Sequence, residues 1–179
     1  MTLKKPNIGI SSCLLGEKVR YDGGHSHNRY ITDSLGKYFA WTPVCPEVEY
    51  GLGIPREAMH LFGDPEKPCL VVISTGVDHT AGMMNWVEKK LAELEKENLC
   101  GFIFKSKSPS SAIRGIKIIS PSGTECGEGP GIFGGAFVKH FSLMPVIDDE
   151  QFGNPVLRKK FLDKVFSRKG LQDSRKKDR

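Results

Sequence analysis

Two cysteines stand where their surroundings permit chemistry. Cys13 follows a short apolar run in "GISSCLLGEKVRYDGG" (9–24), and Cys45 lies between two prolines in "TPVCPEVEYGLGIPRE", close to Glu47 and Glu49. Thiols in loops bounded by glycine and proline are accessible, and backbone amides there can point at sulfur. Thiolates are the preferred ligands of iron-sulfur clusters and of zinc. Cys126, in "SGTECGEGPG", reads as a flexible-turn residue, either a third ligand or an incidental surface thiol. Cys69 and Cys100 open the apolar runs "CLVVIS" and "CGFIFKS" and read as unreactive core residues. No CxxC pair is present, so spacing alone does not separate a metal site from a nucleophile.

Alternating strands and helices must bring these residues together. Strands are predicted at Asn7 to Ile10, at "WTPVC" up to Pro46, at 69–74, at "CGFIFKS", at "IKIIS" and near "LMPVI". A short helix over 32–39 opens with Thr32 and Asp33 as caps. The clearest helix begins near "VDHT", with Met83, Val87, Leu91 and Leu94 on one face, and Asp78 and Thr80 are placed to cap it. A further helix surrounds "GIFGGAFVKHF". This pattern predicts a single α/β domain with a mostly parallel, Rossmann-like sheet covered by helices. Open α/β sheets bind ligands beyond the carboxyl ends of their strands, and Cys13, Cys45 and "KSKSPSS" all directly follow predicted strands.

The chain of 179 residues fits one domain, and 39% apolar with 26% charged residues is ordinary for a globular protein. No apolar stretch suits a signal peptide or a membrane span, and an odd count of five cysteines does not read as a disulfide framework. A cytoplasmic protein is expected. Most of the net charge of +5 lies in "RKKFLDKVFSRKGLQDSRKKDR", leaving a nearly balanced body. Such a run is a solvated helical extension with a frayed end more often than a nucleic-acid arm. The expected division is an α/β domain over 1–150 and a basic helical extension over 151–179. Among other polar residues, His25 and His27 read as loop residues. Arg56 and Glu57 are expected to pair with each other, and Lys105 and Lys107 need no special cause.

Taken together, "GISSCLLGEKVRYDGGHS", "PVCPEVEYGLGIPRE", "VDHT", "GFIFKSKSPSS" and "GPGIFGGAF" resemble the thiouracil desulfidase family, in the same order over roughly residues 7 to 145. The chain resembles the N-terminal domain of its longer members. The resemblance implies one α/β domain carrying a 4Fe-4S cluster on three cysteines, with the fourth iron open to the sulfur of a thiolated pyrimidine. It places Cys13 and Cys45 at two ligand positions, Glu47 at the catalytic acid/base and Ser108 at a serine that assists at the substrate. Where characterised members read SPSC this chain reads "SPSS", so Ser111 stands at the third cysteine. Three explanations compete: Cys126 reaches in as the third ligand, two cysteines hold the cluster with another group, or the chemistry is altered.

The residue types suit the implied reaction. A thione carbon resists hydrolysis because sulfide must leave, and an open iron can accept it as a Lewis acid. Glu47 would activate water or shuttle a proton, and Ser108 would hydrogen-bond a carbonyl or a developing anion. The expected function is therefore a cluster-dependent desulfidase of a small thiolated substrate. The alternatives are a non-catalytic cluster or zinc module, or a nucleic-acid-associated domain.

Overall fold

The computed structural model describes residues 4–177. Strand β1 (Asn7–Ser11) pairs in parallel with β2 (Ala40–Val44) on one side and β5 (Leu99–Phe104) on the other, and β5 pairs in parallel with β8 (Val146–Asp148). The resulting all-parallel sheet has the order β2-β1-β5-β8. Every residue of β5 is buried, as expected of a parallel strand covered on both faces. A register shift beside Asn7 leaves Cys100 as an extra residue, so Leu99 shares the face of Phe102 and Phe104 while Gly101 and Ile103 face the other way. Gly9 is required here, because a β-carbon at that position would fall on the Phe102 ring.

A second, mixed sheet has the order β4-β3-β6-β7. It contains the hairpin β3 (Met59–Asp64) and β4 (Lys67–Val72), then β6 (Ile116–Ile119) parallel to β3, and β7 (Glu125–Gly129) antiparallel to β6. Between the sheets lies the larger core. There α2 (Thr80–Lys96) buries Met83, Val87, Leu91 and Leu94, and α3 (Ile132–His140) adds Phe133 and Phe137 against the stacked rings of Phe102 and Phe104. The opposite face of the parallel sheet is covered by a short helix α4 (Asp149–Gly153), whose start is fixed by a capping box of Asp148 and Gln151, and by α5 (Pro155–Lys177). On α5, Phe161 and Val165 pack where Gly101 leaves no side chain.

The expectation of one α/β domain with a parallel sheet therefore holds, with a mixed second sheet added. Several local expectations are corrected. The helix expected over 32–39 is a π-helical turn at Tyr30–Leu35. The strand expected over 69–74 is β4, two residues earlier and paired with the unanticipated β3. Cys126, expected in a flexible turn, lies in β7 as the extra residue of a bulge against β6. The basic C-terminal segment is helical, while the expected fraying of its last residues lies outside the described residues. Among the described residues, no helix is long and apolar enough to cross a membrane. The remaining short helix, α1 (Pro46–Tyr50), belongs to the site.

Candidate functional site

Three neighbouring parallel strands, β2, β1 and β5, end at one rim. The chain leaves β1 through a single 3-10 turn, Ser12–Leu15, which carries Cys13 and is closed by Gly16 at φ 94°. It leaves β2 through Cys45 into α1, where Pro46 occupies the first helical position and needs no hydrogen-bond acceptor for its nitrogen. It leaves β5 through the loop Lys105–Ser111. The rim sits where connections from β1 diverge to either side, the place where open α/β sheets form a ligand crevice. The start of β3 supplies a further wall, and together they enclose a cavity of about 450 Å³ lined by Cys13, Cys45, Glu47, Arg56, Ser108 and Ser111 among others.

Glu47 is only 8% exposed, yet its carboxylate is surrounded by partners. Ser108 Oγ donates to Oε1 at 3.4 Å and the Cys45 thiol to Oε2 at 3.6 Å. The Arg56 guanidinium lies 3.8 Å from Oε2, while its other arm donates to the carbonyl of Val19 at 3.0 Å. Ser108 Oγ in turn accepts from the Ser111 amide at 3.0 Å, which fixes the direction in which its hydroxyl points. The α1 turn is anchored from behind, because Glu49 accepts from the Cys45 amide and pairs with Lys90 of α2 at 2.7 Å.

The Lys105–Ser111 loop is held at both ends. Ser11 Oγ accepts from the Lys105 amide at 2.9 Å. Lys105 Nζ and the Ser106 amide both donate to Asp149 at 2.7 Å. Burial works to raise the Asp149 carboxyl, but these donors hold it below the usual carboxylate range. Farther along, the carbonyls of Pro109, Ser110 and Ala112 accept from the amides of Gly131, Ile132, Phe133 and Gly134, satisfying the first turn of α3. Such an approach of loop to helix needs glycine. A β-carbon on Gly131 would meet Pro109 O at 2.7 Å, and one on Gly134 would meet Ser111 O at 2.5 Å.

The thiols of the cavity are held neutral in the metal-free protein. Burial pushes Cys13 up to about 11, opposed by nearby Lys105 and reinforced by Glu47, and burial followed by the Glu47 charge pushes Cys45 up to about 12. Neither resembles an activated nucleophile, whose thiol is shifted down. A metal that displaces the proton would suit them. In the metal-free protein, alkylation by iodoacetamide near neutral pH is expected to modify exposed Cys126 well before Cys13 or Cys45. Mass spectrometry of the labelled peptides checks this, and prior labelling of Cys13 would contradict the neutral thiols.

The structure thus brings together Cys13, Cys45, Glu47, Ser108 and Ser111, and it leaves Cys126 elsewhere. The Cys126 thiol faces the carbonyls of Gly63 and Ile118, and Gly63 is four residues along β3 from the cavity-lining Met59, roughly 13 Å of strand. It does not reach into the cavity from a loop. The pairing expected between Arg56 and Glu57 is also corrected, since Arg56 faces Glu47 and Glu57 accepts from Ser74 Oγ at 2.9 Å. Lys105 and Lys107 are paired with Asp149 and Glu150. His25 and His27 are not among the lining residues, and His27 bonds Thr32. Asp78 accepts from the Thr80 amide at the start of α2, as expected. Sequence reasoning missed the role of Asp149 as the tether of the loop, for which spacing offers no signal.

Known proteins share this arrangement. Among curated proteins, the uncharacterized protein YbbK of Bacillus subtilis (strain 168) is 32% identical over 108 residues, covering 58% of this chain and 71% of that protein. Among solved structures, a 4Fe-4S-dependent thiouracil desulfidase, TudS, superposes with a TM-score of 0.64 at 27% identity, over 87% of this chain and 99% of that one. Residues 8–149, which span every wall of the cavity, match the family described as 2-thiouracil desulfurase. The chain belongs to the 2-thiouracil desulfurase family.

Proposed function

We propose that the protein is an iron-sulfur-dependent desulfidase that removes sulfur, as sulfide, from a thiolated pyrimidine base or a related small thiocarbonyl compound. The observation that carries this reading is the meeting of two buried thiols with Glu47 and Ser108 in one cavity. Family membership and the likeness to TudS support it. The same reading takes the parallel sheet as Rossmann-like, residues 1–150 as the desulfidase unit and 151–179 as its basic extension, in a cytoplasmic protein.

The donor set fits a cluster. Cys13 and Cys45 offer soft ligands from two different strand ends. Among the described residues, no three His, Cys, Asp or Glu converge on one point, as a single structural zinc ion would require. Ligands of a cluster bind different irons and need not converge. A bound 4Fe-4S cluster with one iron free of protein ligands would supply a soft Lewis acid toward which sulfur can depart.

The chain's own residues then handle the protons. Overall, water adds its oxygen to the thione carbon and sulfide leaves. A Glu47 oxygen accepts the proton released by the attacking water and returns it to the departing side, so the carboxylate is regenerated. Arg56 keeps that carboxylate oriented from the side opposite Ser108. Ser108 Oγ, already aimed into the cavity wall at Glu47, has the reach to donate to a developing oxyanion of the substrate.

Anaerobic reconstitution with iron and sulfide tests the proposal. About four irons per chain and sulfide release from 2-thiouracil are expected. Cys13→Ser and Cys45→Ser are each expected to lose both. A wild-type protein that takes up zinc but neither iron nor acid-labile sulfide would defeat the reading.

A further inference from the structure

Resting on the proposed cluster, we infer that Ser111 is its third protein ligand, binding one iron through a deprotonated Oγ. The inference follows from the oxygen donors of the cavity. Ser11 Oγ is occupied by the Lys105 amide, Ser106 Oγ by the Lys105 ammonium, and Ser108 Oγ by Glu47 and the Ser111 amide. Glu57 accepts from Ser74, and Glu47 is shared by three partners. Ser111 is different. It is 4% exposed and lines the cavity, and among the described residues its Oγ has no hydrogen-bond partner. A buried hydroxyl without a partner carries a desolvation cost that a ligand would remove.

Position supports the same assignment. Cys13, Cys45 and Ser111 follow three adjacent strands, β1, β2 and β5, so their donors surround the cavity from three sides. The Ser111 backbone is immobilised by its amide bond to Ser108 and by close seating on Gly134 of α3. The other cavity serine without a listed bond partner, Ser12, is sequence-adjacent to Cys13 and offers no third direction. Ligation releases the hydroxyl proton to solvent, leaving an alkoxide on iron. An alkoxide is harder than a thiolate and favours the oxidised metal, so the cluster should have a lower reduction potential than a cluster on three thiolates.

The test compares anaerobically reconstituted wild type with Ser111→Ala, Ser111→Cys, Ser12→Ala and Cys126→Ala. It measures iron, acid-labile sulfide, electron paramagnetic resonance and reduction potential, with circular dichroism to confirm folding. Ser111→Ala is expected to lose most of the four-iron form or to yield a three-iron cluster. Ser111→Cys should keep four irons with a raised potential and an altered visible spectrum, and it reports on the ligand even if the alanine variant fails to fold. Ser12→Ala and Cys126→Ala should match wild type. A Ser111→Cys protein with unchanged potential and spectrum, or cluster loss in Cys126→Ala, would overturn the assignment. Cys13→Ser separates the two levels of the proposal. If it loses iron, the cluster stands whatever Ser111 does, whereas wild-type protein that binds no iron removes the cluster and this ligand together.

Discussion

Glu47→Gln is expected to lower sulfide release by about 10²–10⁴-fold while leaving iron content at the wild-type level. Glutamine keeps the shape of the side chain and can still accept from Ser108, but it cannot take a proton from water. Arg56 retains its bonds to the carbonyls of Val19 and Gly53, so the wall of the cavity should survive loss of the adjacent charge. The separation of the two readouts is the informative part. Iron loss would mean that Glu47 holds the site together, and turnover near the wild-type rate would remove its role as the base.

Gly134→Ala should act through the backbone instead. Its β-carbon would lie inside contact distance of the Ala112 carbonyl and 2.5 Å from the Ser111 carbonyl, both main-chain atoms that cannot swing aside. Overpacking of this kind typically costs about 1–3 kcal/mol, and here the strain falls directly on the wall that carries Ser108 and Ser111. A drop in melting temperature together with reduced iron uptake is the expected result. Gly170→Ala is the control, because no atom lies within 4 Å of the added carbon in α5. That change should stabilise by about 1 kcal/mol through helix propensity. Equal effects of the two substitutions would show that the seating of the loop on α3 does not matter.

The parts of the fold that announce themselves in sequence are those with strong periodicity. Helix α2 repeats its apolar residues at helical spacing, and β5 and β6 are short apolar runs, so all three are legible. Strand β7 is not. Its residues "ECGEG" are glycines and exposed glutamates on a sheet edge, with no apolar alternation to mark a strand, and Cys126 was misplaced for that reason. Strand β3 was hidden because "MHLFGD" reads equally as a loop before the turn. At the site, the residues following strands β1, β2 and β5 were legible as a rim from topology alone. The Arg56–Glu47 contact was not, because it joins different turns that only the tertiary fold brings together, whereas Glu57 is adjacent in sequence and invited the wrong pairing.

The seating of the Pro109–Ala112 carbonyls on the first turn of α3 also bears on the order of biosynthesis. Cys13 and Cys45 leave the ribosome early, but the third wall cannot settle until the amides of Gly131 to Gly134 have emerged and coiled. Until then the nascent chain presents two thiols with nothing opposite them, a poor trap for iron and an easy target for oxidants. Maturation of the metal centre therefore belongs after synthesis of α3, and its delivery must be to a nearly finished protein rather than to an elongating one.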